Sequence, residues 1–325
     1  MMKKLICIEE HYSSKTVKEK INKILGNEDT GTASLNQTQL AASDLGEGRI
    51  AYMNSAEIST QVLSCADEYP ALLAKEHAVP LCREVNDEMH RASTVHPGRY
   101  YCFAILPLSA PEEAAAELER CVKTLGFVGA MLVGHFEGRS YSDEWYFPIF
   151  KKAEELNVPI YMHPCKVNSA VAERYYKGAW SPTAESLFAS FGVGWHYEVG
   201  IEAVRMMLAG IFDRLPGLQI ILGHWGEVVA YYMYRLDEIG QNITGLNKSF
   251  SRYFKENVYV NPSGMMYEAQ FRFCMATFGA ERIMWGEDYP YRKPENIAAF
   301  LQGLDISEEE RAKIAYANAE KLFGV

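Results

Sequence analysis

Four short clusters in this 325-residue chain carry side chains able to do acid–base or metal chemistry. They are Glu9-Glu10-His11, His163-Pro164, Gly223-His224-Trp225-Gly226-Glu227 and Gly286-Glu287-Asp288. Glu9, His11, His163 and Asp288 together supply two imidazoles and two carboxylates, a donor set suited to one borderline divalent cation, zinc or manganese. Any one of them has a plainer reading: a single histidine at a strand end is usually only hydrogen-bonded, and an aspartate after a strand commonly caps a helix. Their joint placement is what carries weight.

Each cluster closes a short apolar run. The runs are Leu5–Glu9, Thr60–Cys65, Tyr101–Leu106, Val128–Val133, Val158–His163, Leu218–His224, Val258–Asn261 and Arg282–Asp288. None alternates cleanly with polar residues, as expected of strands buried on both faces of a parallel sheet. Helical patterns separate them: Pro70–Thr94, Pro111–Leu125 with Ser109 as its cap, Asp143–Leu156, Glu198–Asp213, Gly226–Gly240, Tyr267–Phe278 and Ser307–Phe323. Eight strands alternating with helices predict a (β/α)₈ TIM barrel, here one domain over residues 1–325, in preference to a doubly wound open sheet. Loop insertions fall near residues 12–48 and 165–194. In a barrel the strand ends share one rim, so the clusters converge there. Residues two apart on a strand share a face, which aims Glu9 and His11 into the mouth and Glu10 away.

His224 and Glu227 form an H-x-x-E pair past the sixth run. On a helix that spacing puts them on one side, where the carboxylate fixes the imidazole tautomer and raises its basicity; a capping contact is an equally simple use of Glu227. Arg235 is eight residues beyond Glu227, about two helical turns. It would reach a substrate carboxylate or bridge to a neighbouring acid. His77, His90 and His96 read as surface or packing residues, whereas His135 and His196 sit in segments that could line a pocket. Aromatic side chains near the loops (Tyr12, Trp180, Phe188, Phe191, Trp195, Tyr197, Tyr289 and Tyr291) include candidates to stack on a planar ligand.

Composition removes several classes. The net charge is −10, with 42 acids and 32 bases interspersed, so no basic stripe exists to meet nucleic acid. Seven cysteines, an odd number without a C-x-x-C pair, read as reduced buried thiols. No run is long enough for a membrane span, and the apolar stretch after Lys3-Lys4 is too short for a signal peptide. A cytoplasmic protein is expected.

These residues resemble the amidohydrolase-related proteins grouped with aminocarboxymuconate-semialdehyde decarboxylase, and among them the γ-resorcylate, dihydroxybenzoate and carboxyvanillate decarboxylases. The likeness runs through Glu9-Glu10-His11, Arg49-Ile50-Ala51, Gln61-Val62-Leu63-Ser64, Leu125-Gly126-Phe127-Val128-Gly129-Ala130 and Val158-Pro159-Ile160-Tyr161-Met162-His163-Pro164. It continues through Gly223-His224-Trp225-Gly226-Glu227, Arg235-Leu236-Asp237 and Asp288-Tyr289-Pro290-Tyr291. Many relatives open with H-x-H; this chain has the E-x-H of the phenolic-acid decarboxylases. The resemblance implies metal ligation by Glu9, His11, His163 and Asp288, catalysis by Asp288 and by His224 oriented by Glu227, and substrate contacts from Arg235 and Tyr291. It implies a metal-dependent, non-oxidative and reversible decarboxylase of a hydroxylated aromatic acid, assembled as a homo-dimer or tetramer. A lactone or amide hydrolase is the alternative on the same scaffold, and a non-catalytic barrel binding an aromatic ligand is the third reading. Two departures stand out. No Phe, Tyr or Trp occurs from Ser13 to Ala51, and Glu287 precedes Asp288 where Ser or Thr is usual.

Overall fold

A computed structural model describes residues 4–27, 36–67, 69–293 and 296–325. Seven parallel strands follow one another in chain order: β1 (Ile6–Tyr12), β2 (Thr60–Cys65), β3 (Tyr100–Ala104), β4 (Gly129–Val133), β5 (Ile160–His163), β6 (Ile220–Leu222) and β7 (Val258–Val260). The sheet curls, and its two faces bury different sets of side chains. Ile6, Ile8, Val62, Phe103, Met131, Tyr161, Ile221, Tyr259 and Met284 pack together on the inner side, where Ala319 and Phe323 of the C-terminal helix join them. Cys7, Leu63, Leu132, Met162, Leu222 and Val260 face the surrounding helices. Burial on both faces is why the runs read as continuously apolar.

The eighth expected strand, Arg282–Asp288, does not form one. Residues 283–289 make only isolated bridges, Ile283 to Val260 on one side and Trp285 and Tyr289 to Cys7 and Glu10 on the other. Backbone bonds nonetheless tie the segment to β1: Ile8 N to Trp285 O at 2.9 Å, Asp288 N to Glu9 O at 3.0 Å and His11 N to Tyr289 O at 2.7 Å. The Glu10 carboxylate interrupts a regular ladder. It accepts from the backbone N–H of Glu287 (3.0 Å) and of Tyr289 (3.2 Å), and a donor satisfied by a side chain leaves the ladder.

β1 carries an irregularity between Cys7 and Glu10, where three steps along β1 match two along β2. An extra residue of this kind re-aims the side chains beyond it. Ile6 and Ile8 point inward; after the shift Glu9 and His11 do, and Glu10 turns to the packing against 287–289.

Helix boundaries differ from expectation where capping and breaks intervene. Helix Pro111–Leu125 starts after Ala110, and the buried Ser109 hydroxyl has no partner instead of capping it. Pro70–Thr94 divides into Tyr69–Leu72 and Lys75–Val95. Expected loop 12–48 contains helices Lys15–Ile24 and Gln37–Ala42, with residues 28–35 outside the described set. All seven cysteines are buried, and no disulfide joins any of them among the described residues. No helix among the described residues is long and apolar enough to cross a membrane.

Candidate active site

Glu9, His11 and His163 bring ligand-type atoms within 4.8 Å of one another at the strand ends. His163 Nε2 is 3.6 Å from Glu9 Oε1, and His11 Nε2 is 3.2 Å from Asp288 Oδ1. The outer atoms of both imidazoles are committed elsewhere. His163 Nδ1 lies 2.7 Å from the Pro164 carbonyl, which can only accept, so its proton sits there and the Nε2 lone pair faces the cluster. His11 Nδ1 is 3.1 Å from Ser64 Oγ. Glu9 Oε2 accepts a short hydrogen bond from Ser263. Glu9 Oε1 and His11 Nε2 remain buried without a hydrogen-bond partner, which a folded protein rarely tolerates. Lone pairs left facing one another in this way fit a cation. Gly223 keeps the floor open: a Cβ there would lie 2.5 Å from Ser263 Oγ and 2.7 Å from the Tyr161 hydroxyl.

Behind the cluster, Glu10 and Glu287 are buried together. Burial and their mutual repulsion push Glu10 well above the carboxylate range, and burial pushes Glu287 up to about 8. The charge of Arg49 opposes both shifts; Arg49 itself donates to the His11 carbonyl at 2.8 Å and to Gln61 Oε1 at 2.7 Å, and the Tyr52 hydroxyl bonds Glu287. Glu287, the residue that departs from the usual Ser or Thr, thus belongs to the support of β1.

The H-x-x-E pair is brought together, but by a different backbone from the one expected. His224, Trp225, Gly226, Glu227 and Val228 all have positive φ (46°, 61°, 89°, 50° and 60°), so the chain makes a left-handed turn. The non-glycine residues among them each cost about 1–2 kcal/mol unless the surroundings impose them. Here Trp225 is buried between the rings of Phe271 and Trp285, its backbone N–H donates to Asn261 O, and its indole donates to Met265 O at 2.8 Å. Gly200 of helix Gly194–Leu208 lets that helix touch the turn, since a Cβ there would sit 2.3 Å from Glu227 O. His224 Nδ1 is 2.7 Å from Glu227 Oε1, which leaves Nε2 for the cavity. Burial alone would lower the His224 pKa; the Glu227 charge and hydrogen bond, with Glu9 and Asp288 behind them, outweigh it and push it up to about 9. Because the folded value is raised, the stabilisation is complete below the ordinary histidine range and is lost as pH rises through about 9. Glu227→Gln removes the main holder of that proton. The alkaline limb of the pH–rate profile is expected to move down by more than about one unit in this variant; an unmoved limb would detach it from His224.

A cavity of about 770 Å³ opens over these groups. His163, His224 and Asp288 line its depth, Phe191, Trp195, Tyr267 and Tyr291 its walls, and Lys166 and Arg292 add cationic side chains. Tyr291, expected as a substrate contact, lies in that lining; Arg235 does not. Its side chain is 77% exposed and pairs with Glu238, and the cavity lining does not include it. The left-handed turn ends at Val228, so helix Val229–Asp237 has its own phase. It buries Val229, Ala230 and Met233 and turns Arg235 to the opposite side. His135 packs on Tyr141 and bonds the Arg139 carbonyl, outside the cavity lining. Ser263 and Arg292 were missed. A serine two residues past the expected run Val258–Asn261 was the available signal for the first; nothing in the sequence marked the second.

Buried carboxylates and imidazoles gathered at the ends of parallel strands define a metal-assisted enzyme of the barrel-type hydrolase and lyase class. Residues 45–325 match the family model described as amidohydrolase, and the chain belongs to that family. It is 34% identical over 330 residues to the decarboxylase orsB of Emericella nidulans, covering 99% of this chain and 97% of that one. It is 34% identical over 294 residues to the γ-resorcylate decarboxylase of Polaromonas sp., covering 86% and 87%. Among solved structures, the dihydroxybenzoic acid decarboxylase of Polaromonas sp. JS666, with bound manganese and 2-nitroresorcinol, superposes with a TM-score of 0.87 at 29% identity over 99% of this chain and 97% of that one.

Proposed function

We propose that this chain is a metal-dependent, non-oxidative decarboxylase of a hydroxylated aromatic acid. The reading takes residues 1–325 as one (β/α)₈ barrel, with 283–289 standing in the place of the eighth strand. The observation that carries it is the meeting of Glu9, His11, His163 and Asp288 beneath an aromatic-walled cavity, with Glu9 Oε1 and His11 Nε2 buried without a hydrogen-bond partner. Those four residues would hold one divalent cation; the manganese of the Polaromonas structure favours that ion over zinc. When bound, such an ion supplies Lewis acidity and a template for the substrate carboxylate and its ortho hydroxyl.

The protein's own groups account for the rest. Phe191, Trp195 and Tyr291 offer faces for a planar ring and exclude water around it. Asp288, at the cavity floor, holds a proton at its carboxyl and delivers it to the ring carbon bearing the carboxylate. The carbon–carbon bond breaks, its electron pair restores the ring, and carbon dioxide leaves. His224 Nε2 donates to the oxygen on which charge gathers. The decisive experiment is incubation of the manganese-loaded protein with γ-resorcylate: resorcinol and carbon dioxide are expected in equal amounts, and no release from a panel of ortho-hydroxybenzoates, with lactone opening instead, would overturn the reading.

With Arg235 turned outward, Arg292 is the candidate for the substrate's anionic end. Its stem lies against Gly264, where a Cβ would meet Arg292 Cβ at 2.8 Å, and its guanidinium has no acidic partner among the described residues. Arg292→Gln is expected to raise KM about tenfold with kcat little changed, the pattern of lost uniform binding; steady-state kinetics decide it. The exposed Tyr231, Tyr232 and Tyr234 on helix Val229–Asp237 support assembly into a homo-oligomer, and seven buried cysteines with no disulfide among the described residues fit a reducing cytoplasm.

A further inference from the structure

His196, near the start of helix Gly194–Leu208, reaches across to Glu227. Its Nδ1 is 2.7 Å from Glu227 Oε2, and its Nε2 is 3.0 Å from the Phe191 carbonyl oxygen. A carbonyl only accepts, so Nε2 carries a proton. At 2.7 Å, His196 Nδ1 and Glu227 Oε2 share a hydrogen bond. Exchanging the ring's nitrogens and carbons would forfeit both contacts. The other Glu227 oxygen accepts from His224 Nδ1, and the two imidazole rings lie 4.5 Å apart. Glu227 has no exposed surface, and without His196 one of its oxygens would be buried unpaired.

We propose that His196 is a positioning residue: an imidazole held between the Phe191 carbonyl and Glu227, which fixes the plane of the carboxylate and through it the ring of His224. It also couples the cavity wall to the left-handed turn, because the strand of contacts runs from Phe191 through His196 and Glu227 to His224. The catalytic meaning rests on the decarboxylase reading; the hydrogen-bond arrangement does not.

Two substitutions separate positioning from simple packing. The amide nitrogen of Asn falls near the place of Nδ1, and that of Gln near the place of Nε2. His196→Asn keeps the bond to Glu227 and gives up Phe191; His196→Gln does the reverse. With γ-resorcylate as probe, His196→Gln is expected to lower kcat about 10–100-fold, as loss of an orienting partner does, while KM stays within about threefold. His196→Asn is expected to retain kcat within about threefold of the parent. A Gln variant as active as the Asn variant would overturn the proposal. A second measurement is independent of turnover and of the variants' folding: nitrogen NMR of the histidine-labelled parent at neutral pH. A hydrogen bond at each ring nitrogen of His196 is expected, and a free Nδ1 would overturn the proposal. Should the parent leave γ-resorcylate untouched, the decarboxylase reading falls, and the NMR result still decides the arrangement.

Discussion

Asp288→Asn is expected to lower kcat by about a thousandfold or more while the protein stays folded and keeps its metal. Asn retains an oxygen at the same place, 3.2 Å from His11 Nε2 in the parent, but it has no carboxyl proton to deliver. The loss should therefore appear in kcat rather than in metal content. Carbon dioxide release and elemental analysis of the same preparation measure the two quantities. Retained turnover would remove Asp288 from the proton-transfer step; lost metal with lost turnover would reduce it to a ligand. Its left-handed backbone (φ 65°) shows that the position is imposed by its surroundings, here the bond from its N–H to Glu9 O at 3.0 Å.

Removal of the metal should be equally severe, and its consequences depend on pH in a defined direction. Dialysis against a chelator is expected to abolish turnover and added manganese to restore it. In Glu9→Gln, restoration should fail at concentrations that saturate the parent, because Glu9, unlike the proton-carrying Asp288, serves the ion only as a charged donor and the neutral amide does not. Burial and the Asp288 charge raise the pKa of Glu9 in the folded, metal-free protein, while His224, His11 and Ser263 oppose the shift. A raised folded value means that the acid favours the fold only while protonated, so the metal-free protein loses this support as pH rises above the ordinary glutamate range. The bound ion needs the same group deprotonated. The rise in Tm on adding manganese should therefore be larger at pH 8 than at pH 5. An ion at a hundred times its Kd adds about 2.7 kcal/mol. Calorimetry at the two pH values tests this, and a shift that shrinks with pH would show that Glu9 is not a ligand.

How much of this was visible in the chain depended on what each feature rests upon. Seven strand positions were legible because a strand buried on both sides leaves a continuous apolar signature, and the polar clusters closing the first, fifth and sixth runs marked the rim. The eighth was misread because one side chain, Glu10, takes backbone donors that a ladder would have used. No propensity records such a contact. The facing of Glu9 and His11 was deduced correctly from their spacing of two. Extrapolation from Ile6 and Ile8 would have failed, since the irregularity beyond Cys7 reverses the parity. Arg235 was misplaced for a related reason: counting turns from Glu227 assumes an unbroken right-handed helix, and the break at Val228 resets the count. His196 drew only a suggestion, because its partner is thirty-one positions away and no local pattern joins them.

The inverted hand of residues 224–228 also limits what can be learned from the H-x-x-E spacing alone. Engineered onto an ordinary amphipathic segment, the same four letters would splay the imidazole and the carboxylate along a rightward spiral and aim the free nitrogen elsewhere. The motif is not portable. What would have to be transplanted is its mould: the indole of Trp225 seated among its aromatic neighbours, and the bare backbone of Gly200 pressed against it.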